Sequence, residues 1–272
     1  MSTGALPCIR IRPPARWQAL DLAQLWQFRD LLLTFAVRDI KLRYRQTVLG
    51  ILWVVLQPLM AAGILSFVFG NIAKLDTTFI ATYAGMLGWN AFSNTLTKTS
   101  GCLVQNSGLI SKIFFPRLVL PLSTLLSTLL DFLIAFVVFI VLMVFYKVTP
   151  TAAFLLMPLW LALILVLATG CGLFASALMV SYRDVQYILP VLVNFLLFAS
   201  PVGYPASAVP AKHLLVYSLN PLAGLLGAFR WSLLGEAVNW TCVAYSAVFA
   251  VAALVIGVLT FKKMECEFAD VI

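Results

Sequence analysis

The sequence predicts an all-α integral membrane protein: six transmembrane helices, an N-terminal amphipathic interface helix, and a re-entrant or interfacial segment before the last span. Three observations carry this reading. Of 272 residues, 62% are hydrophobic and only 10% charged, where soluble chains average roughly 25% charged. Uncharged apolar runs recur at about 18 residues or more, long enough at ~1.5 Å per residue to cross a ~30 Å hydrocarbon core. An amphipathic, Arg-rich segment also leads directly into the first of these runs. The net charge of +8 is therefore read against a membrane surface. The basic residues flank spans, with no folded basic domain that would engage nucleic acid.

Residues 1–24 are expected to form an N-terminal tail. From 25 to 47 an amphipathic cytoplasmic helix is expected, with Leu25, Trp26, Leu32, Leu33, Phe35 and Ala36 at helical intervals. Arg38, Lys41 and Arg45 fall at i, i+3 and i+7, giving one basic face, while Asp39 and Arg43, four apart, can pair on another. Residues 1–47 lack a short apolar region followed by a small-residue cleavage site, so no secretory signal peptide is expected. The transmembrane domain covers 48–261, with spans at about 48–69, 79–97, 118–146, 153–180, 187–200 and 237–261. The second carries Asn90, Ser93 and Asn94; the third is broken only by Asp131; the fifth soon meets Pro201, Pro205 and Pro210. Segment 206–235 mixes apolar residues with Lys212, His213, Asn220, Pro221 and Arg230. It reads as one or two short re-entrant or interfacial helices, tolerated at membrane depth only where protein or water covers the backbone. Residues 262–272 form a cytoplasmic tail. With no repeat and no Ser/Gly-rich linker, a single membrane domain is expected.

Charge sets the orientation. With six spans and both ends inside, fourteen Lys and Arg residues fall in cytoplasmic segments, Lys98, Lys112, Arg117, Arg183, Lys262 and Lys263 among them. Only Lys74, Lys147, Lys212 and Arg230 fall outside, as the positive-inside rule requires. Seven spans would expel Lys262 and Lys263. Six spans fit better.

Several residues are candidates for chemistry. The basic face of the interface helix suits an anionic lipid head group, either as a plain anchor or as the place where a phosphate-bearing substrate is admitted. Segment 105–115, bounded by Gly101 and Pro116, is expected as an exposed cytoplasmic helix carrying Leu109, Ile110, Ile113 and Phe114. Such a surface either packs under the membrane domain or needs a protein partner to cover it. Asp131 sits within an apolar run, where a carboxylate costs ~2.5–3.5 kcal/mol on insertion scales. It either contacts Asn194, a threonine or another subunit, or handles substrate or protons. Arg230 and Glu236 suit a helix-end ion pair. The aromatics Trp53, Trp89, Phe114, Phe115, Phe195, Phe198, Tyr204 and Trp231 either face lipid, belt and core, or line a channel for sugars. His213 is the sole histidine, and the five cysteines (Cys8, Cys102, Cys171, Cys242, Cys266) are scattered. Neither a metal site nor a disulfide framework is expected. Nothing matches G-x-x-x-x-G-K-[ST], so no cofactor is expected on this chain.

Arg38-Asp39-Ile40-Lys41-Leu42-Arg43-Tyr44-Arg45-Gln46-Thr47-Val48-Leu49-Gly50-Ile51-Leu52-Trp53 with Gln57-Pro58 resembles the opening of the polysaccharide-exporting ABC transporter permeases, the membrane subunits for O-antigen, capsule or teichoic-acid chains. Leu109-Ile110-Ser111-Lys112-Ile113-Phe114-Phe115-Pro116-Arg117 resembles the family's first cytoplasmic loop. Ser181-Tyr182-Arg183-Asp184-Val185 with Ser200-Pro201-Val202-Gly203-Tyr204-Pro205 resembles its fourth-to-fifth span region. Asn220-Pro221-Leu222 and Phe261-Lys262-Lys263-Met264-Glu265 complete the set.

The resemblance covers nearly the whole chain from about residue 25. It implies a non-enzymatic transport subunit in the bacterial cytoplasmic (inner) membrane, present as a homodimer with two copies of an ABC ATPase that holds the ATP and Mg. The substrate it implies is a polyprenyl-phosphate-linked glycan, O-antigen above all. It also makes Gln105, Asn106, Leu109, Ile110, Lys112, Ile113 and Phe114 an ATPase-coupling loop, with Arg183 and Asp184 as a second contact. Arg38, Lys41, Arg43 and Arg45 then become head-group ligands, and Asp131, Phe195, Phe198 and Tyr204 channel candidates. Two other classes remain. A membrane-embedded glycosyl or phospholipid transferase would call for paired acids, yet the ten acidic residues are scattered. A drug or simple-lipid ABC permease would have less use for the basic helix.

Overall fold

A computed structural model describes residues 22–44, 50, 52–205 and 208–265. All regular structure in the described residues is helical: α1 (Leu22–Gln27), α2 (Arg29–Tyr44), α3 (Leu52–Ser66), α4 (Phe79–Gln105), α5 (Ser107–Ile110), α6 (Val119–Phe145), α7 (Met157–Ser181), α8 (Val185–Ala199), α9 (Leu214–Ser218), α10 (Pro221–Leu234) and α11 (Trp240–Met264). Four stretches are long and apolar enough to cross a membrane: Leu52–Ile72, Val119–Phe145, Ala152–Ser181 and Trp240–Met264. The other two expected spans fall on α4, which is long but polar in its middle, and on the shorter apolar α8.

Capping chemistry marks the helix starts. The Thr78 hydroxyl accepts from the Ala81 N–H at the start of α4. Asn220 accepts from Leu222 ahead of α10, whose first residue, Pro221, needs no donor partner. Asn239 accepts from the Thr241 and Cys242 N–H groups at α11. Gly235 ends α10 at φ 73°, the left-handed conformation that only glycine adopts without strain. Pro58 sits inside α3, which leaves its helical register through a π-turn at Phe67–Ile72.

α7 lies at the centre, packed along α4 on one side and α11 on the other; α10 rests on α11, α7 and α4. The contact between α7 and α11 is backbone on backbone. A Cβ at Gly257 would collide with the Gly170 carbonyl, and one at Gly170 with the backbone of Ala253 and Leu254. Close approach of small residues is how helices pack in lipid, where the hydrophobic effect gives no help. Several hydroxyls inside the bundle are satisfied on their own helices, as when Ser127 and Thr128 donate to the Thr124 carbonyl.

Two apolar clusters result. The larger joins Tyr83, Leu87, Phe139, Ile164, Leu225 and Phe229 across α4, α6, α7 and α10. A second lies towards the ends of α4, α7 and α11 and contains Phe35, Leu103, Phe115, Leu120, Leu173 and Phe261. α8 packs loosely: none of its residues is fully buried, though Leu189, Val193, Leu196 and Leu197 rest against the larger cluster.

Four boundaries differ from expectation. The segment expected as one interface helix is two helices, broken at Phe28, and its expected end at 45–47 lies outside the described residues, as do residues 1–21 and the segment 266–272. The second span runs on from 97 to Gln105, because Lys98 is neutralised inside the bundle rather than left in a loop. The 105–115 segment is not one exposed helix. Only Ser107–Ile110 is helical, since Gly108 weakens the helix and Pro116 forces the residue before it towards extended backbone. Lys262 and Lys263 belong to the last turn of α11 rather than to a tail, where cations complement the helix dipole.

Candidate functional site

The first group of functional candidates lies where α2 meets the end of α4 and the start of α6. Arg38 donates through Nη2 to Asp39 Oδ1 (2.8 Å) and to Asn106 Oδ1 (2.8 Å), while Asn106 Nδ2 donates to the Cys102 carbonyl (2.8 Å). Its guanidinium also sits over the Phe35 ring, 4.9 Å from the centroid, and that ring meets Phe115 at 5.5 Å. Arg38 therefore straps α2 to the end of α4. Lys41 is exposed on the same helix; the side chain of Arg43, and all of Arg45, lie outside the described residues. Asp39, expected to pair with Arg43, is held by Arg38.

The 105–115 segment divides by burial. Leu109 and Ile110 pack against the second apolar cluster. Gln105, Lys112, Ile113 and Phe114 are exposed, Ile113 by 54% and Phe114 by 68%. Arg183 and Asp184 form the exposed turn between α7 and α8. Nearby, Arg117 bonds Glu265 through both its backbone N–H and its guanidinium, and Lys262 pairs with Glu265 at 3.3 Å, so α11 is fastened to the start of α6.

The second group lies within the bundle. Asp131 Oδ2 accepts from Lys98 Nζ at 3.0 Å, and the same ammonium donates to Ser127 Oγ at 3.1 Å. Asn194, a partner expected for Asp131, is instead exposed on α8. Sequence reasoning missed Lys98 as the partner. The signal was present all the same: one cation and one anion, each isolated in an otherwise uncharged stretch. Beside the pair, a cavity of about 190 Å³ opens between α3, α4 and α6.

The third group surrounds the 200–205 turn. Arg230, only 2% exposed, donates to the carbonyls of Pro201 (3.0 Å) and Tyr204 (2.9 Å) and pairs with Glu236 at 2.7 Å. The Asn220 amide donates to the Ala199 carbonyl and Ser200 Oγ. On the far side Gly85 lets the Val202 carbonyl approach α4 so closely that a Cβ would clash. Tyr204 is fixed here: its hydroxyl donates to the Phe198 carbonyl at 3.2 Å, and its ring meets Phe69 at 5.7 Å. Phe195 and Phe198 are exposed on α8. The structure thus does not gather the four channel candidates into one lining. Asp131 lies in the bundle, Tyr204 in the turn, and the two phenylalanines on an outer face. Among the described residues no three His, Cys, Asp or Glu side chains come together as metal ligands.

The described residues form a bundle of apolar helices with the exposed Ile113–Phe114 pair at the end of one loop. A family model described as ABC-2 type transporter matches residues 30–234. The chain belongs to the ABC-2 type transporter family. The match runs from α2 to the end of α10, and so takes in Arg38, Asp131 and Arg230. A Klebsiella pneumoniae relative of this ABC-2 chain, O-antigen export system permease protein RfbA, is 27% identical over 248 residues, 89% of this chain and 95% of its own. A Myxococcus xanthus protein of the same name is 29% identical over 211 residues, 76% of this chain and 81% of its own. Polysialic acid transport protein KpsM of Escherichia coli is 27% identical over 242 residues, 84% of this chain and 91% of its own.

Proposed function

We propose that this ABC-2 chain is the permease subunit of an ATP-driven exporter that moves a lipid-linked polysaccharide, O-antigen in the first instance, across the cytoplasmic membrane. The observation that carries the proposal is alignment with O-antigen export permeases over 95% of a relative's length, together with an exposed Ile113–Phe114 pair at the tip of the 105–115 turn. Exposed apolar side chains outside the hydrocarbon region call for a protein partner. The ATPase that this chain lacks is the natural one, and it would carry the ATP and Mg. Arg183 and Asp184 supply polar contacts beside it. Two copies of the chain would enclose one pathway, with Asn194, exposed on the apolar α8, turned towards the second copy. Both ends of the chain face the cytoplasm in this scheme.

Substrate would be admitted beside α2, where exposed Lys41 is free to meet a phosphate; Arg38 is already held by Asp39 and Asn106. Because Arg38 reaches Asn106, movement imposed on the 105–115 turn is carried into that helix directly. At the other end, the turn fixed by Arg230 and the short helices α9 and α10 would gate the exit. A capsule-type polymer is the second reading, favoured by the similarity to polysialic acid transport proteins.

Deleting the chain is expected to remove the surface polysaccharide and leave lipid-linked glycan inside the cell, read by surface immunostaining and by extraction of the glycolipid. Normal surface polysaccharide in the deletion strain would refute the reading.

A further inference from the structure

The cavity between α3, α4 and α6 is lined by Gln57, Asn90, Asn94, Thr128, Asp131 and Phe132, beside smaller apolar side chains. Its volume, about 190 Å³, is several times the ~30 Å³ that one water takes in the liquid. Thr128 is satisfied by its own helix, and Asp131 by Lys98. Among the described residues the side-chain amides of Gln57, Asn90 and Asn94 make no hydrogen bond.

Position makes those three amides informative. Asn94 lies roughly 16 Å along the helix axis from Gln105 at ~1.5 Å per residue, well inside the bilayer. Polar groups at that depth are strongly disfavoured unless something meets their donors and acceptors. Each amide offers both. An occupant made of hydroxyl groups returns both; a lipid tail or an apolar drug returns neither. The Lys98–Asp131 pair adds an acceptor without adding net charge, so an uncharged polyol is not repelled. On α4, Asn90, Asn94 and Lys98 follow at i, i+4 and i+8, which extends one polar stripe towards the Gln105 end.

We propose that this cavity is a hydrated binding station for sugar hydroxyls, with Gln57, Asn90 and Asn94 as its ligands and the Lys98–Asp131 pair as its charge-neutral floor. The proposal rests on the polysaccharide-export reading and adds a place where the polymer is held in transit. Phe132 and Pro58 present apolar surface to the C–H face of a sugar ring, as mixed pockets do.

A cysteine at Ala61 tests it, because Ala61 lines the cavity without belonging to the amide set. Membranes holding the full chain with its partner ATPase are treated with a charged, water-soluble methanethiosulfonate, and labelling at position 61 is read by peptide mass. Ala61→Cys should react at least tenfold faster than Val141→Cys on the exposed face of α6. Labelling should slow several-fold in membranes from cells that make the glycan, compared with cells blocked in its synthesis. Adding Asn90→Leu and Asn94→Leu should abolish that protection. No labelling at 61 would mean that protein or lipid fills the space, and labelling indifferent to glycan would leave a wet cavity that holds no sugar. Either result overturns the station. The deletion strain separates the two readings: if it loses surface polysaccharide while protection is absent, only the station falls.

Discussion

At the scale of single residues, the bundle shows how a membrane chain carries charge. Asp131 and Lys98 meet at 3.0 Å, with Ser127 completing the ammonium's contacts. Taking both ions out of water is expensive, and their attraction repays it only while both are present. Removing one partner of such a pair costs roughly 3–5 kcal/mol, whereas replacing both by apolar side chains is often neutral. Lys98→Met or Asp131→Leu alone should therefore lower the melting temperature of the detergent-purified protein, and the double variant should recover most of the loss. A double variant as unstable as the sum of the singles would contradict this account. Arg230 follows the same rule by another route, its charge shared between one carboxylate and two backbone carbonyls. The Glu236 part of that arrangement was readable from sequence. The carbonyls of Pro201 and Tyr204 were not, because backbone acceptors leave no signature in residue identity.

At the scale of elements, the 105–115 segment separates two jobs that looked like one. Its spacing predicted a single exposed apolar helix. The structure instead turns Leu109 and Ile110 into the second cluster and leaves Ile113 and Phe114 outside. Ile110→Asp and Ile113→Asp should accordingly behave differently. The first places a carboxylate against Phe115 and its neighbours and should lower the melting temperature. The second lies at an exposed position, and exposed substitutions of that kind stay within about 0.5 kcal/mol. Yet it should cut ATP hydrolysis stimulated by the assembled transporter at least tenfold. Melting curves and ATPase rates on the reconstituted complex measure both. Full stimulation in Ile113→Asp would take the docking role away from the tip of the turn. The Arg38–Asn106 bond ties α2 to the same segment. No local pattern foretold it, because the two residues are 68 positions apart.

At the scale of the whole molecule, what could be read from sequence was whatever depends on length and charge. The runs 118–146 and 237–261 fall on α6 and α11 to within a few residues, because an apolar stretch of that length, even with the single Asp131 in the first, closes its backbone hydrogen bonds in lipid only as a helix. At Lys98 the reading stopped short of the helix end, since the residue that neutralises it lay 33 positions on. The same physics bears on assembly. An exposed apolar face says little here, because lipid covers it as well as a second copy does. Asn194 says more: it is exposed on α8, halfway along an apolar helix, and makes no hydrogen bond among the described residues. Polar side chains at that depth face protein or water, so α8 should face its counterpart in a second copy across the pathway. Asn194→Cys is expected to form a disulfide-linked dimer under mild oxidation in native membranes, read by non-reducing gel. Val255→Cys, on the exposed side of α11, should stay monomeric on that gel. Equal cross-linking at both positions, or none at 194, would move the contact between copies away from α8.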